Sequence, residues 1–172
     1  MHDAARTSAS ESPLPDLDSL DVEALKALVL AQHSELDSHR SEIEKLKPFP
    51  EVPAALAKLH TRYKLVVLSN GDPDMLETAK RYHNVPFDRV ISVAEAGSFK
   101  PHVATYRKAA ELTGVPMDQI LFVANHAFDC IGAKAAGMRT AFIDRRSRPF
   151  GETPHQPDIL VPTMTELANL IA

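Results

Sequence analysis

A lysine, a carboxylic acid, a hydroxyl and a carboxamide stand in this sequence close to the ends of apolar runs. Ser69 and Asn70 close the run Lys64-Leu-Val-Val-Leu-Ser69, and Asp129 follows the run Gln119-Ile-Leu-Phe-Val-Ala124. Lys100 stands before Pro101 between them. A hydroxyl and an amide at a strand end reach into a pocket, a lysine holds a nearby carboxylate ionised by Coulomb attraction, and an acid orients or activates water. Each residue also has an ordinary alternative. Asn70 can cap a following helix, Lys100 can be a solvated lysine, and Asp129 can be a first-turn acid that stabilises its own helix. Tyr106, as a lone tyrosine on a helix, fits half-buried packing. Cys130 fits a buried, inert thiol. The run Arg145-Arg-Ser-Arg148 reads as a solvated basic loop.

The elements that must hold these residues alternate. Helices are expected at 51–63, 72–83, 102–113, 127–136 and 163–171, and strands at 64–69, 89–93, 119–124, 139–144 and 158–161. Such alternation predicts an α/β fold with a parallel sheet covered on both faces. In such sheets ligands sit beyond the C-terminal strand ends, which is where Ser69-Asn70-Gly71, Lys100-Pro101 and the stretch 124–129 fall.

These segments carry a family resemblance. Pro48-Phe-Pro-Glu-Val52, Lys64 through Met75, Ser98-Phe-Lys-Pro101 with Tyr106, and Phe122-Val-Ala-Asn-His-Ala-Phe-Asp129 with Gly132-Ala-Lys-Ala-Ala-Gly137 resemble the core of haloacid dehalogenases that hydrolyse (S)-2-haloacids. The resemblance runs over residues 48–172 and implies a Rossmann-like parallel sheet. It implies that Ser69 and the backbone hold the substrate carboxylate and that Asn70 helps bind the departing halide. It implies that Lys100 orients an aspartate nucleophile and that Asp129 acts on the water that hydrolyses the ester intermediate. Tyr106, Asn125 and His126 fall at positions of the same pattern. Ala124-Asn125-His126 departs from the commonest version, which has serines at the first two positions and asparagine at the third. Phosphatases of this fold place a second acid near the first to hold magnesium. Asp129 is followed by Cys-Ile-Gly-Ala-Lys instead, so no metal and no cofactor are expected.

Two family parts have no counterpart in the sequence. The nucleophile belongs to an Asp-x-x-Gly-Thr type motif after the first, central strand, and no such segment occurs. Asp3, Asp16, Asp18, Asp21 and Asp37 precede the resemblance, and none follows a buried strand. The helical cap domain is missing as well. The expected fold is therefore a core lacking its first strand, between the strands at 64–69 and 119–124. That loss leaves either a gap with unpaired backbone or direct re-pairing of the two flanking strands.

Residues 1–47 differ in character. They hold ten acidic against five basic residues, whereas 48–172 hold thirteen against fourteen, and all six glycines lie after Pro48. Residues 1–20, rich in Ser, Pro and Asp, read as a disordered tail. Residues 21–47 read as a helix with a heptad register: Val22, Val29, Leu36 and Ile43 at a, and Leu25, Gln32, His39 and Leu46 at d. Asp21, Glu35 and Glu42 at g precede Lys26, Arg40 and Lys47 at e, the spacing of ion pairs across a parallel dimer. The same pattern serves a homodimer through Val22, Leu25, Val29, Leu36, Ile43 and Leu46, or an amphipathic helix without a second copy. This stretch also resembles the N-terminal helix of an insertion-sequence transposase family.

The chain has 172 residues, 44% of them hydrophobic, with a net charge of -4. That suffices for one core-forming domain. No apolar run reaches the length of roughly 18 residues that a membrane span needs. The mild acidity gives no footprint for nucleic acid. One cysteine and no apparent leader segment fit the cytoplasm. The expected activity is hydrolysis of a carbon–halogen bond in a short 2-haloacid by a truncated core impaired for want of its nucleophile. Two alternatives are a non-catalytic remnant that self-associates through the heptad helix, and a phosphatase of the same fold.

Overall fold

Pro50 and Glu51 turn the chain into a helix because Pro53, near its start, tolerates the position where no backbone donor is needed. The computed structural model describes residues 22, 23, 26, 27, 30, 47–83, 87–147 and 149–172. The chain separates into two units, Met1–His39 and Arg40–Ala172. In the first, Val22, Glu23, Lys26, Ala27 and Leu30 are helical, and Val22 is exposed. Lys26 pairs with Glu23 at 2.8 Å. The 1–20 tail, the a and d heptad positions other than Val22 and the five early aspartates lie outside the described residues.

The second unit alternates as its apolar periodicity predicts. Its elements are α1 (Val52–His60), β1 (Val66–Ser69), α2 (Pro73–His83), β2 (Arg89–Ser92), α3 (Val93–Ala96), α4 (Val103–Thr113), β3 (Leu121–Ala124), α5 (Ala127–Ala136), β4 (Arg139–Ile143), β5 (Ile159–Val161) and α6 (Met164–Ile171). Two features are additions to the sequence reading. α3 is a single turn set off by Ser92, whose Oγ accepts the Glu95 N–H at 3.3 Å. A 3₁₀ turn over Met117–Gln119 takes Gln119 out of the expected strand.

All strand pairs are parallel, but they form two sheets. β1 pairs with β2, from Val66 opposite Arg89 to Ser69 opposite Ser92. β3, β4 and β5 form the other, with Leu121 opposite Arg139 and Ala141 opposite Ile159. Among the described residues no backbone hydrogen bond joins β1 to β3. Of the two outcomes expected for a missing central strand, direct re-pairing of the flanking strands does not occur among the described residues.

Helices hold the halves on a common core. On one face Leu68 of β1 and Phe122 of β3 both pack on a cluster of Tyr106, Ala110, Ala133 and Met138, from α4, α5 and the turn into β4. On the other, α1 packs on α6 through Ala55, Leu59 and Ala168, with Leu65 beside them. α6 in turn covers Ala141 and Ile143 through Leu167. Asp158 ties this side down: it accepts the Thr140 N–H at 2.7 Å and pairs with Lys134. The Lys134 ammonium holds the Asp158 carboxyl below the usual carboxylate range.

Candidate active site

β1 ends on Ser69, whose Oγ accepts the Gly71 N–H at 3.1 Å and so tightens the turn into α2. The helix cap that could have fallen to Asn70 belongs to Asp72, which accepts the Met75 N–H at 2.9 Å. Asn70 is left to act at a distance. Its Oδ1 accepts the Lys100 backbone N–H at 2.9 Å, and its Nδ2 donates to the Lys100 carbonyl at 3.2 Å. One carboxamide thus holds both backbone groups of a residue in a separate loop. The Lys100-Pro101 bond in that loop is cis.

The pinned loop aims Lys100 at α5. Its Nζ donates to Asp129 Oδ2 at 3.2 Å, with the two side chains only 12% and 10% exposed. Nζ also lies 5.7 Å from the centre of the Phe122 ring, which adds a cation–π attraction. Asp129 Oδ1 is buried and has no hydrogen-bond partner among the described residues. A carboxylate with one oxygen committed to a lysine and the other uncommitted has the acceptor a general base needs. Asp129 stands in the first turn of α5, so the helix dipole also favours its charge.

Tyr106 is fully buried, and its hydroxyl donates to the Asp129 carbonyl at 3.2 Å. Its ring meets Phe122 edge to face at 5.4 Å. Burial, with the Asp129 charge nearby, pushes its phenol above the ordinary range, so it acts as a neutral donor. Cys130 is buried too, its thiol pushed up to about 12 chiefly by burial.

Asn125 and His126 are exposed and lie apart from this network. His126 sits at the start of α5, where its backbone carbonyl, not its ring, accepts from Asp129 and Cys130. Both residues line an open pocket with Asp144, Arg145 and Arg146. Arg145 corrects one expectation. It is not a solvated loop arginine: it pairs with Glu51 at 2.6 Å and lies 3.9 Å from the centre of the Phe49 ring. A guanidinium stacked on a ring and paired with an acid ties the segment before α1 to the loop after β4.

The sequence reading quotes Gly132 within the family pattern but gives it no role. A Cβ built there would stand 2.7 Å from the Tyr106 hydroxyl and 2.9 Å from both the Cβ and the carbonyl oxygen of Pro101. Only a glycine lets α5 come this close to the tyrosine and the lysine loop. Gly132→Ala is expected to cost about 1–3 kcal/mol of stability, the usual range for overpacking. Urea unfolding measures it, and a loss below about 0.5 kcal/mol would show the contact to be slack.

The arrangement can hold a carboxylate, donate to it from a lysine, and accept a proton from water. A family model for haloacid dehalogenase-like hydrolases matches residues 6–137. The chain belongs to the haloacid dehalogenase-like hydrolase family. The match begins upstream of Pro48, where the motif resemblance starts, and takes in the heptad segment. Among relatives, haloacetate dehalogenase H-2 of Moraxella sp. (strain B) is 38% identical over 134 residues, covering 76% of this chain and 60% of that protein. The (S)-2-haloacid dehalogenase of Pseudomonas sp. (strain YL) is 33% identical over 129 residues, 73% of this chain and 56% of that protein. The solved L-2-haloacid dehalogenase of Xanthobacter autotrophicus with chloropropionic acid covalently bound superposes with a TM-score of 0.68 at 33% identity, over 75% of this chain and 62% of that one. This member of the hydrolase family therefore spans less than two thirds of each of these relatives. Among the described residues no helix is long and apolar enough to cross a membrane.

Proposed function

We propose that this chain carries the lysine–acid half of a site that hydrolyses the carbon–halogen bond of a short 2-haloacid. The observation that carries the reading is the buried Lys100–Asp129 pair, with Asp129 keeping one oxygen uncommitted. In the reaction a carboxylate oxygen attacks carbon 2 and the halide leaves with the bonding electrons. Water then adds to the acyl carbon of the resulting ester, Asp129 takes its proton, and the 2-hydroxyacid departs as the carboxylate re-forms. Lys100 holds the attacking carboxylate ionised. The Ser69 hydroxyl and adjoining backbone bind the substrate carboxylate, and the second N–H of Asn70 meets the halide. Tyr106 positions Asp129 through its carbonyl, while Asn125 and His126 border the water path. No metal or cofactor enters these steps. Among the described residues the carboxylate on Lys100 is Asp129 itself, and the expected aspartate nucleophile is not among them; on this reading a core without it is impaired.

Ligand binding tests the half-site separately from turnover. Titration with (S)-2-chloropropionate, followed by amide NMR, is expected to give saturable shifts at residues 69–71 and 100. A folded protein with no shifts there would overturn the reading.

The heptad helix gives this cytoplasmic protein a second feature, self-association through Val22, Leu25, Val29, Leu36, Ile43 and Leu46. Two polar d positions make the dimer weak. Sedimentation is expected to show a concentration-dependent dimer, and a strict monomer at high concentration contradicts it.

A further inference from the structure

Of the four asparagines in the chain, Asn70 alone stands before a glycine. That pairing has a chemistry of its own, and asparagine is among the thermolabile residues because of it. With no side chain on Gly71 to block the approach, its backbone nitrogen can attack the Asn70 carboxamide carbon. The N–Cγ bond forms, the Cγ–Nδ2 bond breaks, and ammonia leaves with the amide proton. Water then opens the succinimide ring to aspartate or isoaspartate, so the net change is the hydrolysis of a single amide. Asn70 is exposed, and water reaches it.

Two sets of hydrogen bonds oppose ring closure. The carboxamide has to fold back onto its own chain, but both its ends are held by the Lys100 backbone, at 2.9 and 3.2 Å. The Gly71 nitrogen has to lose its proton, but that proton is donated to Ser69 Oγ at 3.1 Å. Both sets must break before the ring forms, so closure belongs to the opened loop.

The product undoes the clamp. In Asn70 a donor, Nδ2, faces the Lys100 carbonyl. In aspartate an acceptor oxygen takes its place, and two acceptors then meet with no proton between them. Isoaspartate moves the side-chain methylene into the main chain and carries the carboxylate out of register. Either product removes the hold on the loop that aims the Lys100 ammonium at Asp129.

We infer that Asn70–Gly71 is a modification site at which deamidation unseats Lys100, held in check by Ser69 Oγ and the Lys100 backbone while the loop is closed. The inference uses no step of the proposed hydrolysis.

Mass spectrometry on the full chain tests this, after incubation at mildly alkaline pH, folded and in urea. The tryptic peptide 65–80 holds Asn70 and no other carboxamide, so its conversion from amide to acid reports this site alone. Conversion is expected in urea and to be slower by about tenfold or more in the folded chain. Ser69→Ala is expected to speed conversion of the folded chain by about fivefold, the worth of one hydrogen bond, and to leave the urea rate unchanged. Asn70→Asp encodes one product directly and is expected to speed hydrogen exchange over residues 98–102 by about fivefold or more. No conversion in urea overturns the site. Equal rates folded and in urea, or no acceleration in a natively folded Ser69→Ala chain, overturn the check. Unchanged exchange in Asn70→Asp overturns the effect on Lys100. None of these readings depends on halide release, so a failed hydrolysis leaves them intact.

Discussion

Lys100→Ala and Asp129→Ala each lower the unfolding free energy by about 3–5 kcal/mol, while replacing both together costs less than either. Removing one member of a buried ion pair leaves the other charged, desolvated and unsatisfied, and that penalty exceeds the value of the pair itself. The geometry makes the effect large here. With the lysine gone, Asp129 would have neither oxygen paired, since Oδ1 already lacks a partner. With the acid gone, the ammonium keeps only the Phe122 ring at 5.7 Å among the described residues. The pair Lys100→Met with Asp129→Leu fills the same space with apolar atoms and removes both desolvation costs. Equilibrium urea unfolding of the three variants measures the coupling directly. Single losses below about 1 kcal/mol, adding to the double loss, would place the pair with solvated surface bridges.

The elements were legible because their signals are local. Val66–Ser69 and Leu121–Ala124 are apolar runs of strand length, and Ala127–Ala136 ends at Gly137, which takes the left-handed conformation that stops a helix. α3 was not legible, since four residues carry no helical period. Contacts between distant segments were equally silent. Arg145 looks like one basic residue among several in its loop, and its identity as a tie comes from Phe49 and Glu51, far back in the chain. Asn70 offered a choice between ligand and cap, and the structure gives its amide to the Lys100 backbone because Asp72 had already filled the cap.

The gap between the half-sheets shows the same division. Sequence pattern counts strands and so exposes the missing one, but it does not decide whether the neighbours close up. Among the described residues they do not pair, and the helix pairs α1–α6 and α4–α5 carry the two half-sheets on shared clusters. Lys100 and Asp129 come together for the same reason. α4 and α5 meet closely only where Gly132 admits the Tyr106 hydroxyl and the Pro101 backbone.

The second large effect concerns turnover. A nucleophile that works as part of a unit accounts for about 10⁶ of the rate in the best-measured hydrolytic triad, and positioning groups do not replace it. The 172-residue chain alone is therefore expected to release chloride from (S)-2-chloropropionate no faster than buffer.

Chloride release by the metal-free chain, measured beside binding of (S)-2-chloropropionate by amide NMR, is the most direct measurement. Saturable shifts at residues 69–71 and 100 without chloride release above buffer is the predicted result. Lys100-dependent release by the chain alone would place the nucleophile within it, and a folded chain with neither shifts nor release would contradict a dehalogenase half-site.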